Sequence, residues 1–222
     1  MKNLFKSFLA FTSIVVLTTS CLIAPVSTNY ESARSLKKNN IEATGSFTSN
    51  SGGIDGESDP YNRNFGFRVG YGITDKFDAK LGYERCIPVW GEEADNLPSV
   101  NFFSLSPKYT FIDNVFAVKL PINLYSFKDG ESEMYFAINP TLLGTLPVSD
   151  KFEVGLSTAY QIIFYEEEAL DFLSFALGFG ISSDLNRWAL RPEIGYQFDP
   201  EDSDISFFNF GLGFSYNFDL NK

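Results

Sequence analysis

From Ile41 to the end of the chain, hydrophobic and polar positions alternate with a period of two. That spacing sends successive side chains to opposite faces of a β-strand. In NFGFRVGYGI, Phe65, Phe67, Val69, Tyr71 and Ile73 share one face, and Gly66, Arg68, Gly70 and Gly72 share the other. The next segment sets Phe77, Ala79, Leu81 and Tyr83 against Asp78, Lys80, Gly82 and Glu84. Further alternating runs lie at 103–111, 116–124, 136–142, 152–164, 173–181, 188–198 and 208–218. With 41–49 as a weaker first strand, the count is ten.

These strands run to roughly 9–14 residues, enough to cross a bilayer when tilted, whereas soluble strands centre on ~5–6. No stretch after Ile41 is apolar for the ~18 residues a helical span requires. Bulky apolar side chains on one face, with Gly, Ser, Asn and charges on the other, predict a ten-stranded antiparallel up-and-down transmembrane β-barrel. A soluble, lipocalin-like periplasmic binding barrel would also alternate, with its bulky residues inside. Strand length and the connections favour the membrane.

Those connections are of two kinds in strict alternation. TDK (74–76), IDN (112–114), PVSDK (147–151) and SSDLNR (182–187) are short. SGGIDGESDPYNR (51–63), IPVWGEEADNLPS (87–99), KDGESE (128–133), EEEALD (166–171) and DPEDSD (199–204) are longer and acidic. Short periplasmic turns and longer external loops are the rule for bacterial barrels, and an even strand count puts both termini on the short-turn side.

Residues 41–222 thus resemble a small Gram-negative outer-membrane β-barrel protein. The last strand is similar to the assembly signal of that class: Asn209, Gly211, then spaced Leu212, Phe214 and Tyr216, with Phe218 displaced from the terminus. The resemblance implies a cell outer-membrane location, contact with outer-membrane lipid, and handling by the outer-membrane assembly machinery.

Ahead of the barrel, Lys2 and Lys6 precede FLAFTSIVVLTT, a secretory apolar run too short to span a bilayer as a helix. It ends at Thr18-Thr19-Ser20-Cys21, which resembles a lipoprotein cleavage box in the looser Bacteroidota-like form. That resemblance makes residues 1–20 a signal peptide and Cys21 the acylated first residue. The alternative is ordinary cleavage near Ala24. Residues 21–40 then read as a polar periplasmic tether, in agreement with a lipid anchor in the inner leaflet.

The whole chain of 222 residues carries a net charge of −11, and loss of Lys2 and Lys6 takes it to −13. Such an acidic balance argues against nucleic acid as a partner. No histidine is present, so the commonest general base and metal ligand are missing. Known enzymes on barrels of this class generally use one, and the expectation is a non-enzymatic protein. Cys86, at the outer end of the third strand, reads as a buried or loop thiol.

The inward faces carry Glu42, Arg68, Asp78, Lys80, Glu84, Lys108, Lys119, Glu153, Arg191 and Glu193, five charges of each sign. Charges in a low-dielectric interior must pair. All but Arg68 and Glu84 map to the periplasmic half, predicting a cross-lumen ion-pair network with the lower lumen shut. Above it Ser104, Asn123, Tyr125, Gln161, Gln197 and Asn209 would line an acidic cup open to the outside. The same charges could instead ring a narrow pore or carrier for small solutes. In the rim, Asp199, Glu201, Asp202 and Asp204 form the densest acidic group, a weak Ca2+ candidate beside the reading of a solvated rim.

Overall fold

The computed structural model describes residues 28–54, 57–89, 99–127, 134–165, 168–202 and 205–220. The signal segment, Cys21 and Asp204 lie outside them, as does most of the acidic rim at 90–98 and 128–133.

Ten barrel strands follow in order. They are β1 (Asn40–Ile54), β2 (Glu57–Gly72), β3 (Phe77–Pro88) and β4 (Val100–Ile112). Next come β5, in two pieces (Phe116–Lys119 and Ile122–Phe127), and β6, also in two (Met134–Ile138 and Thr141–Ser149). β7 (Phe152–Tyr165), β8 (Glu168–Ile181), β9 (Trp188–Phe198) and β10 (Ser206–Asp219) complete the set. Each strand pairs antiparallel with its sequence neighbours. The ring closes between β1 and β10, with Ala43 opposite Tyr216 and Phe47 opposite Leu212.

The breaks in β5 and β6 fall at Pro121 and Pro140, which have no N–H to give to a ladder. Bonds from Leu120 N to the Pro107 carbonyl and from Asn139 N to the Pro121 carbonyl carry the pairing across. The connection expected at 51–63 is shorter than it reads. β1 and β2 continue their ladder to the Ile54–Glu57 pair, so most of that segment is hairpin. At the opposite end, Thr74 closes a tight turn, its hydroxyl accepting from Lys76 N and Phe77 N.

The faces are as the alternation requires. Phe67, Phe103, Leu156, Phe175 and Phe210 project outward; Leu156 is 62% exposed. Lys80, Lys119, Arg191 and Glu193 are buried inside and Arg68 nearly so. A lipocalin-like barrel needs the reverse arrangement, so the soluble alternative falls. Among the described residues the strands close into a ring with an apolar exterior, the arrangement that a lipid surround demands of a β-structure.

The described part of the expected periplasmic tether, residues 28–39, does not stand clear of the barrel. Thr28, Tyr30, Ala33 and Leu36 are buried within the barrel, with Asn29, Ser32 and Ser35. This strap descends the lumen from beside Thr48, at mid-height on β1, to the short-turn rim, where Asn39 N donates to the Gly72 carbonyl. Its sequence is polar because its surroundings are polar; polarity alone does not separate water from a polar lumen.

The long-loop end of the lumen also differs from the open acidic cup. Cys86, Val100, Phe102, Tyr125, Ala137, Ile163, Phe172 and Phe207 form a buried apolar layer there, flanked by Tyr61, Tyr135 and Ile205. Phe102 meets Tyr125 edge-on at 4.7 Å. These residues continue the inward parity of their strands, and buried Asn64, Gln161 and Gln197 stand opposite Cys86, Phe172 and Phe207, so the inner face mixes apolar and polar groups at that end.

Candidate functional site

The site is the lumen, built by the inward faces of the strands and the strap between them. Four of the five wall cations meet wall carboxylates. Arg68 pairs with Glu84 at 3.1 Å, Lys80 with Glu42 at 2.6 Å, Lys108 with Asp78 at 3.5 Å and Arg191 with Glu153 at 2.9 Å. Arg68 and Glu84 sit on neighbouring strands, where Arg68 is opposite Gly82 and Glu84 opposite Gly66, so the two are diagonal neighbours. Among the described residues, Lys119 and Glu193 make no ion pair with another wall residue.

The strap supplies what those two lack. Glu31, absent from the charges assigned to the lumen by sequence, places Oε1 2.8 Å from Lys119 Nζ. Its Oε2 lies 2.8 Å from Lys80 Nζ and 3.4 Å from Lys108 Nζ. Burial opposes ionisation of this carboxyl. The three ammonium groups outweigh that cost and hold its pKa well below the usual carboxylate range. Glu193 accepts the backbone N–H groups of Asn29 at 2.6 Å and Tyr30 at 3.0 Å. Arg34 adds a bridge to Glu153 at 3.3 Å, beside Arg191.

Tyr30 occupies a slot cut by glycines. A Cβ at Gly211 would lie 1.7 Å from the Tyr30 hydroxyl oxygen, and one at Gly213 would lie 2.7 Å from Tyr30 Cβ. The hydroxyl donates to the Phe47 carbonyl at 3.0 Å and contacts the Thr48 hydroxyl. The Arg68 guanidinium lies 5.5 Å above the ring centroid. Tyr30 is held at φ 49°, a left-handed backbone that bulky residues rarely adopt, which costs on the order of 1–3 kcal/mol. The surrounding contacts must supply that energy.

Above the strap, Tyr125, Gln161, Gln197 and Asn209 are buried and inward, with Gln161 donating to the Tyr125 hydroxyl and Gln197 to Gln161. Cavities of about 10 Å³ and 50 Å³ remain beside the strap, and a vestibule of about 180 Å³ lies at its lower end. The first two are too small for anything beyond one or a few waters.

At the rim, Asp199 Oδ1 accepts from Glu201 N and Asp202 N and so closes its own turn. Among the described residues no three carboxylates, Cys or His converge as a metal site. Cys86 is buried in the aromatic layer and not in a loop.

No protein-family model and no curated protein matches the chain in sequence. Solved structures match its fold. An outer membrane channel from Pseudomonas putida F1 aligns at 11% identity over 86% of this chain and 100% of its own, with a TM-score of 0.54. Ail of Yersinia pestis aligns at 15% identity over 82% and 99%, with a TM-score of 0.37. The outer membrane protease OmpT of Escherichia coli aligns at 11% identity over 81% and 97%, with a TM-score of 0.43. The closed ring, lipid-facing belt and polar lumen, with the likeness in fold to the Pseudomonas putida channel, define the class: the chain folds as an antiparallel ten-stranded β-barrel of the outer-membrane type.

Proposed function

We propose that this protein is a non-catalytic outer-membrane barrel, a surface or assembly and interaction protein. In this reading its lumen is closed by its own strap and its acidic loops meet the partner. The observation that carries it is the seating of Glu31 among Lys80, Lys108 and Lys119, which turns the centre of the lumen into a packed ionic core. Absence of histidine, and engagement of each inward carboxylate among the described residues by a cation or a backbone amide, support a non-catalytic role. The acidic rim serves as a soluble, like-charged surface and not as a Ca2+ site. Cys21 carries the acyl anchor, and the Asn209–Tyr216 pattern is what the assembly machinery reads.

Single-channel recording in planar bilayers is the test. The purified full chain should give no steady conductance; sustained ion flow would identify a narrow pore or carrier instead. For the anchor, Cys21→Ser should abolish palmitate labelling and leave the precursor uncleaved by the lipoprotein peptidase. Unchanged processing of that variant would assign cleavage to the ordinary signal peptidase.

A further inference from the structure

The wall engages the strap's backbone at most positions from Asn29 to Leu36. Besides the Glu193 carboxylate on Asn29 N and Tyr30 N, Arg68 donates to the Asn29 carbonyl at 2.9 Å. Thr145 accepts from Ala33 N at 2.8 Å, and Thr110 donates to the Ala33 carbonyl at 3.1 Å. Lys108 donates to the Arg34 carbonyl at 2.9 Å, and Asp78 accepts from Leu36 N at 3.2 Å. Backbone contacts of this kind supply affinity for an extended chain, and side-chain sockets supply specificity. Three sockets are present. Gly211 and Gly213 open the slot for the aromatic ring. Lys80, Lys108 and Lys119 receive the carboxylate. Gly70 leaves room for Leu36, since a Cβ there would lie 2.9 Å from Leu36 Cδ1.

We propose that the lumen is a peptide-binding site whose resident ligand is the strap. It accepts in trans a segment of another chain with an aromatic residue, in the left-handed turn that Tyr30 adopts, directly followed by a carboxylate. The proposal rests on the closed-lumen reading for its resting state and adds a ligand class to it. Two wall groups direct the choice: Lys119 and Glu193 take their direct partners from the strap and not from the wall, so removal of the strap would open a cation and an anion to the lumen with no hydrogen-bonded counter-group among the described wall residues. Such a surface favours an occupant carrying a carboxylate and free backbone N–H groups at the same spacing. The strap is also accessible where it joins the barrel, because Lys37 and Lys38 are exposed at the short-turn rim.

The test uses the full chain with a site-specific protease sequence inserted after Lys38, cut after the barrel has folded. A fluorescent peptide with the sequence of residues 28–39 is then added, and its uptake is read by anisotropy and co-elution. The cut barrel should exchange its strap for the labelled peptide. Peptides with Glu31→Ala or Tyr30→Ala should compete at least roughly tenfold more weakly. Equal competition by all three peptides, or no uptake by a barrel that still shows its folded mobility on unheated gels, overturns the proposal. Conductance of the uncut protein is a separate readout: it decides whether the lumen is closed and leaves the peptide result untouched.

Discussion

Replacing Glu31 by alanine removes the carboxylate that three buried lysines share. Two Nζ···O separations are 2.8 Å and the third is 3.4 Å. At an effective dielectric near 20, each close pair is worth about 6 kcal/mol in Coulomb energy before desolvation is subtracted. Desolvation takes back several kcal/mol per ion, so the gross figure is not the net one. What remains after the substitution sets the outcome. Lys80 keeps Glu42 and Lys108 keeps Asp78, while Lys119 is left without an ion-pair partner among the described residues. Stranding one buried cation costs about 3–5 kcal/mol, which for a chain of this size lowers the melting temperature by roughly 6–20 °C. Lys119→Ala should cost less, because Glu31 retains two cations, and Lys119→Met added to Glu31→Ala should recover part of the loss. The heat-modifiable shift on gels, followed against temperature for the four proteins, measures this order. If Glu31→Ala melts with the parent, or if Lys119→Ala is the worse variant, the strap does not hold the lumen through this carboxylate.

Other expectations follow from the same geometry. Gly72→Ala would set a Cβ 1.7 Å from the Lys37 carbonyl oxygen, a backbone atom that cannot yield; it should loosen the strap's lower end and speed cleavage at Lys37–Lys38 by trypsin. The carboxyls of Glu31 and of Asp113, which is hydrogen-bonded by Lys37, are both held below their ordinary range. Their contribution is therefore complete above the unfolded carboxylate pKa and lost as pH falls through the folded values. Melting curves should show the parent losing stability in acid, and Glu31→Gln should flatten that loss. Leu156→Arg places a cation on the lipid face at about 2–4 kcal/mol near the midplane, so the folded fraction in vesicle assembly assays should drop. A Leu156→Phe control should assemble normally.

The barrel was legible in the chain because its two environments, lipid and lumen, alternate with the strand's own period. Phe65, Phe67 and Val69 against Gly66 and Arg68 state the pairing register, the outward face and the location at once, since a slip of one residue would send Arg68 into lipid. The inward charges were legible for the same reason, and their equal numbers suggested a network complete in itself. Which of them could touch was not legible. Lys119 and Glu193 find their counter-groups on the strap, and only its seating inside the closed ring fixes those distances. The strap escaped because a polar stretch without period looks the same in water and in a polar lumen. One sign of it was present: the inward glycines at 70, 72, 211 and 213 leave room that a side-chain-filled barrel of ten strands would not need. The aromatic layer at the long-loop end was hidden in plain alternation, because Phe102 and Phe207 keep the inward parity of their strands beside outward Phe103 and Phe208. Sequence determined the faces, since each residue's face depends only on its own parity. Tertiary structure decided what filled the lumen, since that depends on which parts of the chain the closed ring brings to the same height.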